Sequence, residues 1–235
     1  MIKSMILFCP GPSMPLDRYP QLRQFSDIGA INHAREAVLK NHSTAHPDYW
    51  FFSDNPEEFP QTNYDTPSTV VCRATYEKKV RALGASSVCP VKSRRTGDAE
   101  SNPYTSKFFY SGPYTLLFAT LWSIRQGYKQ IVFVGTDMSD RKISFEKISL
   151  QLILWHKDHN QKHGIEFISL QESRINSICN VMTIQEYIDK LHSPSVDEEL
   201  HSSSVDRSYS GTSSSTARPS RSQYHPTGRI VIVSA

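Results

Sequence analysis

The sequence predicts an α/β domain with an open, mostly parallel, Rossmann-like sheet and helices on both faces. Three observations predict it. Short apolar runs rich in β-branched and aromatic residues alternate with segments of helical period along most of the chain. One of them, Ile131-Val132-Phe133-Val134, has no polar alternation, the pattern of a strand buried on both sides. The expected strand ends collect polar residues, Ser13, Asn32, Asp54, Asn55 and Asp137. Open α/β sheets bind ligands at the carboxyl ends of their strands. Any one of these residues is more often a cap or a turn former, and their shared position is what singles out the set.

The first apolar run, Met5-Ile6-Leu7-Phe8-Cys9, is followed at once by Pro10-Gly11-Pro12-Ser13. A strand ending in a Gly/Ser turn opens many nucleotide-binding domains. Gly11 lets the backbone come close to a ligand, and the Ser13 hydroxyl or the nearby amides suit a phosphate or a ribose. The turn is too short for a G-x-G-x-x-G fingerprint and has no P-loop lysine. A second strand is expected over 28–32, ending in Asn32, with a helix over 33–40. Tyr49-Trp50-Phe51-Phe52 makes a third, ending in Ser53-Asp54-Asn55-Pro56. Strands over 69–72 and 86–91 flank a helix over 75–83. Residues 92–106 are charged and rich in Ser, Thr and Gly without periodicity. A loop of that length in a compact domain is usually functional or disordered, and an acceptor-side lid is the expectation.

The next stretch organises the chain. Ser111 is a suitable helix N-cap, Gly112 permits close approach, and Pro113 suits a first helical residue. Leu116, Leu117, Thr120, Leu121 and Ile124 then recur at helical spacing as one apolar face, and Gly127 closes the helix. The strand over 130–134 ends in Gly135-Thr136-Asp137. A helix N-terminus beside a strand tip is where such sheets hold anionic ligands, so the nucleotide site is expected here.

Residues 143–162 read as a helix carrying His156 and His159, with His163 just beyond. The i, i+3 spacing puts the first two rings on one face. There is no H-E-x-x-H pattern and no third ligand nearby, so no metal is expected. A histidine general base at neutral pH is the functional expectation, and solvated surface histidines are the alternative. A late strand covers 165–170. Thr183 caps a last helix through Leu191, with Ile184, Tyr187, Ile188 and Leu191 as its core face.

Residues 1–192 are thus expected to form one nucleotide-binding domain, and 193–235, where Ser, Thr, Arg, Pro and Asp displace any hydrophobic period, a disordered Ser-rich tail. Within it, residues 229–233 are strand-like and suit an edge strand or a partner-binding peptide. A formal net charge of +3 over 235 residues gives no argument for nucleic acid. The local basic groups Lys78-Lys79-Arg81 and Lys92-Arg94-Arg95 fit solvated surface, or in the second case a loop holding an anion. Four widely spaced cysteines without a C-x-x-C pair predict buried free thiols and a reducing compartment. With no signal-peptide pattern and no apolar run near the roughly twenty residues of a membrane helix, a cytoplasmic protein is expected.

Two stretches together carry a family resemblance. Leu7-Phe8-Cys9-Pro10-Gly11-Pro12-Ser13 resembles the V-G-N-G-P-S opening of the bacterial sialyltransferases of glycosyltransferase family 42. Ser111-Gly112, then Gly127-Tyr128-Lys129-Gln130-Ile131 and Gly135-Thr136-Asp137, is similar to that family's S-G…G-Y-K-E-I…G-x-D segment. Archaeal pterin pyrophosphokinases and related motility-accessory proteins have a comparable layout. The resemblance implies that Gly11, Pro12 and Ser13 turn around the nucleotide and that Asn32 and Asn55, or Asp54 beside it, contact it. It also implies that Ser111 and Gly112 hold its ribose or phosphate side, with Asp137 close by. The family's catalytic histidine falls in the interval of His156 and His159. The chain departs from the pattern at Pro10, where the family has asparagine, at Lys107-Phe108, where it has an arginine, and in lacking the tyrosine pair after G-x-D.

The leading expectation is a metal-independent, cofactor-free glycosyltransferase with a histidine base. It would move a sugar from a nucleotide-activated donor, a CMP-sugar among the candidates, to a glycan or other hydroxyl acceptor. A homo-oligomer is compatible with it. The alternatives are a pterin-type pyrophosphokinase with Mg²⁺ on Asp54, Asp137 and Asp140, and a nucleotide-binding protein without chemistry.

Overall fold

The computed structural model describes residues 2–58, 63–94, 109–110, 114–137, 160–170 and 179–192, all within the unit Met1–Ser193. Its centre is an eight-stranded sheet built from β1 (Ser4–Phe8), β2 (Asp27–Ile31), β3 (Tyr49–Phe52), β4 (Thr69–Arg73), β5 (Val88–Val91), β8 (Gln130–Val134), β9 (Glu166–Ser169) and β10 (Asn180–Val181). The spatial order is β10-β9-β8-β1-β2-β3-β4-β5, and each of its pairings is parallel. Two-residue strands β6 (Ser93–Arg94) and β7 (Phe109–Tyr110) pair separately. The open, Rossmann-like α/β sheet expected from the sequence is the observed fold.

Parallel strands need crossovers, and the helices that supply them cover both faces. Along β1, Met5 and Leu7 point into one core with Phe51, Val71, Ile131, Phe133 and Phe167. Ile6 and Phe8 point into the other with Ile28, Ala30, Val132, Val134 and Ile168. Helix α4 (Thr115–Arg125) lies over the first core. The second is closed by α1 (Tyr19–Leu22), α2 (Ala34–Asn41) and α5 (Ile184–His192). A third cluster packs Trp50, Phe52, Tyr64, Val70 and Cys72 against Val80 of α3 (Glu77–Ala82).

Helix α4 departs from expectation in two ways. Its N-cap is Tyr114, in extended conformation (φ −98°, ψ 118°), so Ser111 is not the cap and Pro113 not the first helical residue. The first helical residue is Thr115, whose hydroxyl meets that of the buried Ser53 at 3.0 Å. The helix is also buried from Thr115 to Ile124 rather than along one face. Its polar residues tolerate this because Thr120 and Ser123 donate to the carbonyls of Leu116 (2.9 Å) and Ala119 (2.8 Å) one turn back.

Helix α5 is capped reciprocally: the Glu186 amide donates to Thr183 Oγ1 (3.1 Å) and the Thr183 amide to the Glu186 carboxylate (2.6 Å). These bonds hold the exposed Glu186 carboxyl below the usual range. Thr183→Ala is expected to cost about 1 kcal/mol. Urea unfolding checks it, and an unchanged midpoint would mean α5 is held by Tyr187 and Ile188 alone.

The cysteines are free; Cys9 and Cys72 are buried, Cys89 and Cys179 half-buried. Burial pushes the Cys72 and Cys179 thiols from 9.0 up to about 12, and Cys9 further in the same direction. The folded chain therefore keeps protons that the unfolded chain releases. Their contribution is fully present below pH 9 and is lost as pH climbs towards 12. Urea midpoints are expected to fall from pH 9 upward, and a flat profile would contradict it.

Candidate functional site

The strand order reverses at β1: the chain moves outward from β1 through β5, then returns to place β8 on the other side of β1. The crevice at the carboxyl ends of these two strands is the topological switch point, where such sheets bind ligands. Both turns named from the sequence, residues 10–13 after β1 and 135–137 after β8, lie there.

They pack at glycine distance. An alanine Cβ at Gly11 would fall on the Gly135 carbonyl oxygen and 2.5 Å from Asp137 Oδ2. One at Gly135, whose φ is +71°, would fall on the Cys9 carbonyl oxygen and 3.1 Å from the Met14 Cβ. This approach lets Asp137 reach back to Ser13. The Ser13 amide donates to Asp137 Oδ2 at 2.8 Å, and its hydroxyl lies 2.5 and 2.6 Å from the two carboxylate oxygens. The negative charge beside Cys9 adds to burial in keeping that thiol protonated.

On the other flank of β1, Asn32 follows β2 in the left-handed region (φ +48°), which asparagine tolerates better than most residues. Its backbone is held on both sides: the amide donates to the Phe51 carbonyl (2.9 Å) and the carbonyl accepts from Trp50 Nε1 (3.0 Å). Its Oδ1 is buried with no hydrogen-bond partner among the described residues, as is the hydroxyl of Thr136, a residue 0% exposed. A buried polar atom left unmatched costs about 1–3 kcal/mol unless something outside the chain meets it.

Asp54 and Asn55 lie after β3. Asn55 is engaged locally: Nδ2 donates to Glu57 Oε2 (2.9 Å) and Oδ1 accepts from the Glu57 amide (3.4 Å). From β8 to β3 is three strand spacings of about 4.8 Å, roughly 14 Å in all, so these residues border the far side of the crevice. Ser111, Gly112, His156, His159 and Asp140 lie outside the described residues, as do most of the proposed lid and the tail. Among the described residues no group of three or more His, Cys, Asp or Glu is placed to hold a metal.

Arg73, which the sequence reading passed over, ends β4 with only 4% exposure. Its Nε donates to the Ser53 carbonyl (2.8 Å) and Nη1 to Ser93 Oγ (2.7 Å), and its guanidinium lies over Phe118. Through Ser53 it joins β3, β4 and β6 to the start of α4. A lone arginine in an apolar strand was the available signal.

Tyr128, Lys129 and Gln130 sit at the opposite end. The Tyr128 hydroxyl donates to Asp27, Lys129 Nζ to the His163 carbonyl (2.8 Å), and Gln130 Nε2 to Glu166 (2.8 Å). These residues assemble the sheet. At that end a pocket of about 420 Å³ is lined by Arg23, His46, Asp48 and Tyr49, among others. The Arg23 guanidinium is committed to Asp48 at 3.1 Å and to the His46 carbonyl, so the pocket presents no spare cation of its own.

No protein-family model matches the chain, and no curated protein sequence does. The fold is similar to that of a MAf glycosyltransferase from Magnetospirillum magneticum AMB-1, with a TM-score of 0.55 at 13% identity over 80% of this chain. The chain spans about a third (34%) of that protein's length. A thiamine pyrophosphokinase from Bacillus subtilis superposes more loosely, at TM-score 0.37 and 10% identity over 70% of this chain and 58% of that one. No helix among the described residues is long and apolar enough to cross a membrane.

Proposed function

We propose that the chain transfers a sugar from a nucleotide-activated donor to an acceptor hydroxyl, a CMP-sugar being the first donor to test and a glycan the first acceptor class. The observation that carries this is the meeting of the two strand-end turns at the β1/β8 switch point, with Ser13 bound to Asp137 between two glycines that admit no side chain. The similarity of the fold to a glycosyltransferase supports it, and so does the family 42-like order of the turn motifs.

In this reading residues 1–192 form the catalytic domain and 193–235 a Ser-rich tail. His156 or His159 removes the acceptor proton, a contribution of typically ~10²–10⁴-fold. The departing phosphate falls to the segment 111–113 ahead of α4.

A thermal-shift panel of CMP, CMP-sugars, UDP- and GDP-sugars and ATP, each with and without Mg²⁺, tests the proposal. The expected result is stabilisation by CMP without metal, by about 2.7 kcal/mol at a hundred times the dissociation constant. A shift with ATP and Mg²⁺ alone would replace the transferase by the pyrophosphokinase. Binding without turnover on any acceptor would leave a nucleotide-binding protein. No shift at all would remove the nucleotide site.

A further inference from the structure

We propose that Arg73 is a positioning residue for nucleotide binding: one buried guanidinium fixes the chain on both sides of residues 111–113. This rests on the reading above, which gives those residues the departing phosphate, and adds what holds their two anchors in place.

Only residues 111–113 separate Tyr110, the last residue of β7, from Tyr114, the N-cap of α4. A stretch that short reaches no more than about 14 Å from one to the other, so its course is set by where the two anchors stand. Arg73 is bonded toward both. On the α4 side its Nε donates to the Ser53 carbonyl at 2.8 Å, and the Ser53 hydroxyl meets that of Thr115, the first helical residue, at 3.0 Å. The guanidinium also lies over the ring of Phe118, 5.9 Å from its centroid and about one turn into the helix. On the β7 side Nη1 donates to Ser93 Oγ at 2.7 Å. Ser93 begins β6, and in the parallel pairing with β7 it stands opposite Phe109. The strands β6 and β7 form a sheet of their own, and the Arg73–Ser93 bond is a side-chain link between that small sheet and the end of β4.

The residue type suits the task. A guanidinium presents its donors as a rigid planar fork and can hold two diverging partners at once, whereas a lysine ammonium is a single point charge on a flexible stem. Arg73, Ser53 and Thr115 are all buried, so the guanidinium acts on a ligand through its neighbours and not by touching it. A buried charge is costly to draw away from its hydrogen-bond partners, which keeps the bridge in one geometry.

The nucleotide that stabilises the chain in the thermal-shift panel is titrated calorimetrically into full-chain variants, at a temperature where circular dichroism shows each one folded. Ser93→Ala and Thr115→Val cut one branch each, and both are expected to weaken binding by roughly 3–30-fold. Arg73→Met is expected to weaken it at least as much, with Arg73→Lys recovering only part. Arg73→Met combined with Ser93→Ala is expected to bind no more weakly than Arg73→Met alone, because Ser93 acts through the arginine. Should Arg73→Met fail to fold, the two single-branch variants decide. Unchanged affinity in both of them, whatever their melting temperatures, would overturn the proposal and leave Arg73 a packing residue. Weakening in only one would overturn it as well, since the bridge needs both branches. A wild-type chain that binds no nucleotide would remove the reading above and this proposal together, a result seen before any variant is made.

Discussion

Gly135→Ala is expected to destabilise the domain by about 2–5 kcal/mol. Two costs add. A side chain at φ +71° lies in the left-handed region, worth roughly 1–2 kcal/mol. Its Cβ would also fall on the Cys9 carbonyl oxygen, a backbone atom at the end of the central strand that cannot swing aside. Forcing atoms into a packed site costs typically about 1–3 kcal/mol more. In a domain of this size each kcal/mol moves the melting temperature by roughly 2–4 °C. Gly127→Ala is the control, because its φ of +83° carries the same backbone cost while no atom lies within 4 Å of the added Cβ. Its expected loss is about 1–2 kcal/mol. Thermal unfolding of the two variants side by side measures the close approach of the switch-point turns as the difference. Equal losses would mean that the turns separate at little cost, and the built geometry of the site would then carry no weight.

The second large effect is at Trp50. The side chain is 0% exposed and packs on Phe52 and Tyr64 with ring centroids 5.0 Å away in each case. Truncating a buried tryptophan to alanine costs about 3–5 kcal/mol. Trp50→Ala is expected at the upper end, because two polar groups depend on the ring. The Asn32 carbonyl loses its indole donor, and the buried Arg35 guanidinium loses the ring face 4.8 Å away. Burial already works against the Arg35 charge and pulls its pKa down. Trp50→Phe separates the contributions: it keeps most of the apolar contact, drops the hydrogen bond, and is expected to cost about 1–2 kcal/mol. Urea unfolding of both variants provides the check. A loss under about 2 kcal/mol for Trp50→Ala would show that Asn32 and Arg35 find other partners.

Most of the sheet was legible because a strand buried on both faces must be apolar at successive positions, and such runs of four or five residues bounded by turn residues recur along the chain. The runs at residues 5–9, 28–32, 49–52, 69–72 and 130–134 each correspond to an observed strand within a residue or so. What escaped was too short to have a period: helix α1, with four residues, and the two-residue strands β6, β7 and β10. The start of α4 was misjudged for a different reason. Ser-Gly-Pro is a good local cap, but the helix begins at Thr115, where the hydroxyl pairs with that of Ser53, 62 residues away in sequence and invisible to a local reading.

The amino-acid order by itself determined the class of fold, the order of strands and helices, and the polar residues at the strand ends. Those follow from periodicity and turn chemistry, which act over a few residues. Only the tertiary structure decided how these ends are used. It placed Ser13 and Asp137, 124 residues apart, within 3 Å of each other, so that the Ser13 amide and hydroxyl, which the sequence offers to a phosphate or a ribose, meet a carboxylate. It also gave Tyr128 and Gln130, at the opposite end of the sheet, their partners Asp27 and Glu166. The physical reason is that hydrogen-bond donors are shared out by whichever partners the fold brings close. A local segment contains its donors, but only the packing of β8 against β1 says which of them are already spent.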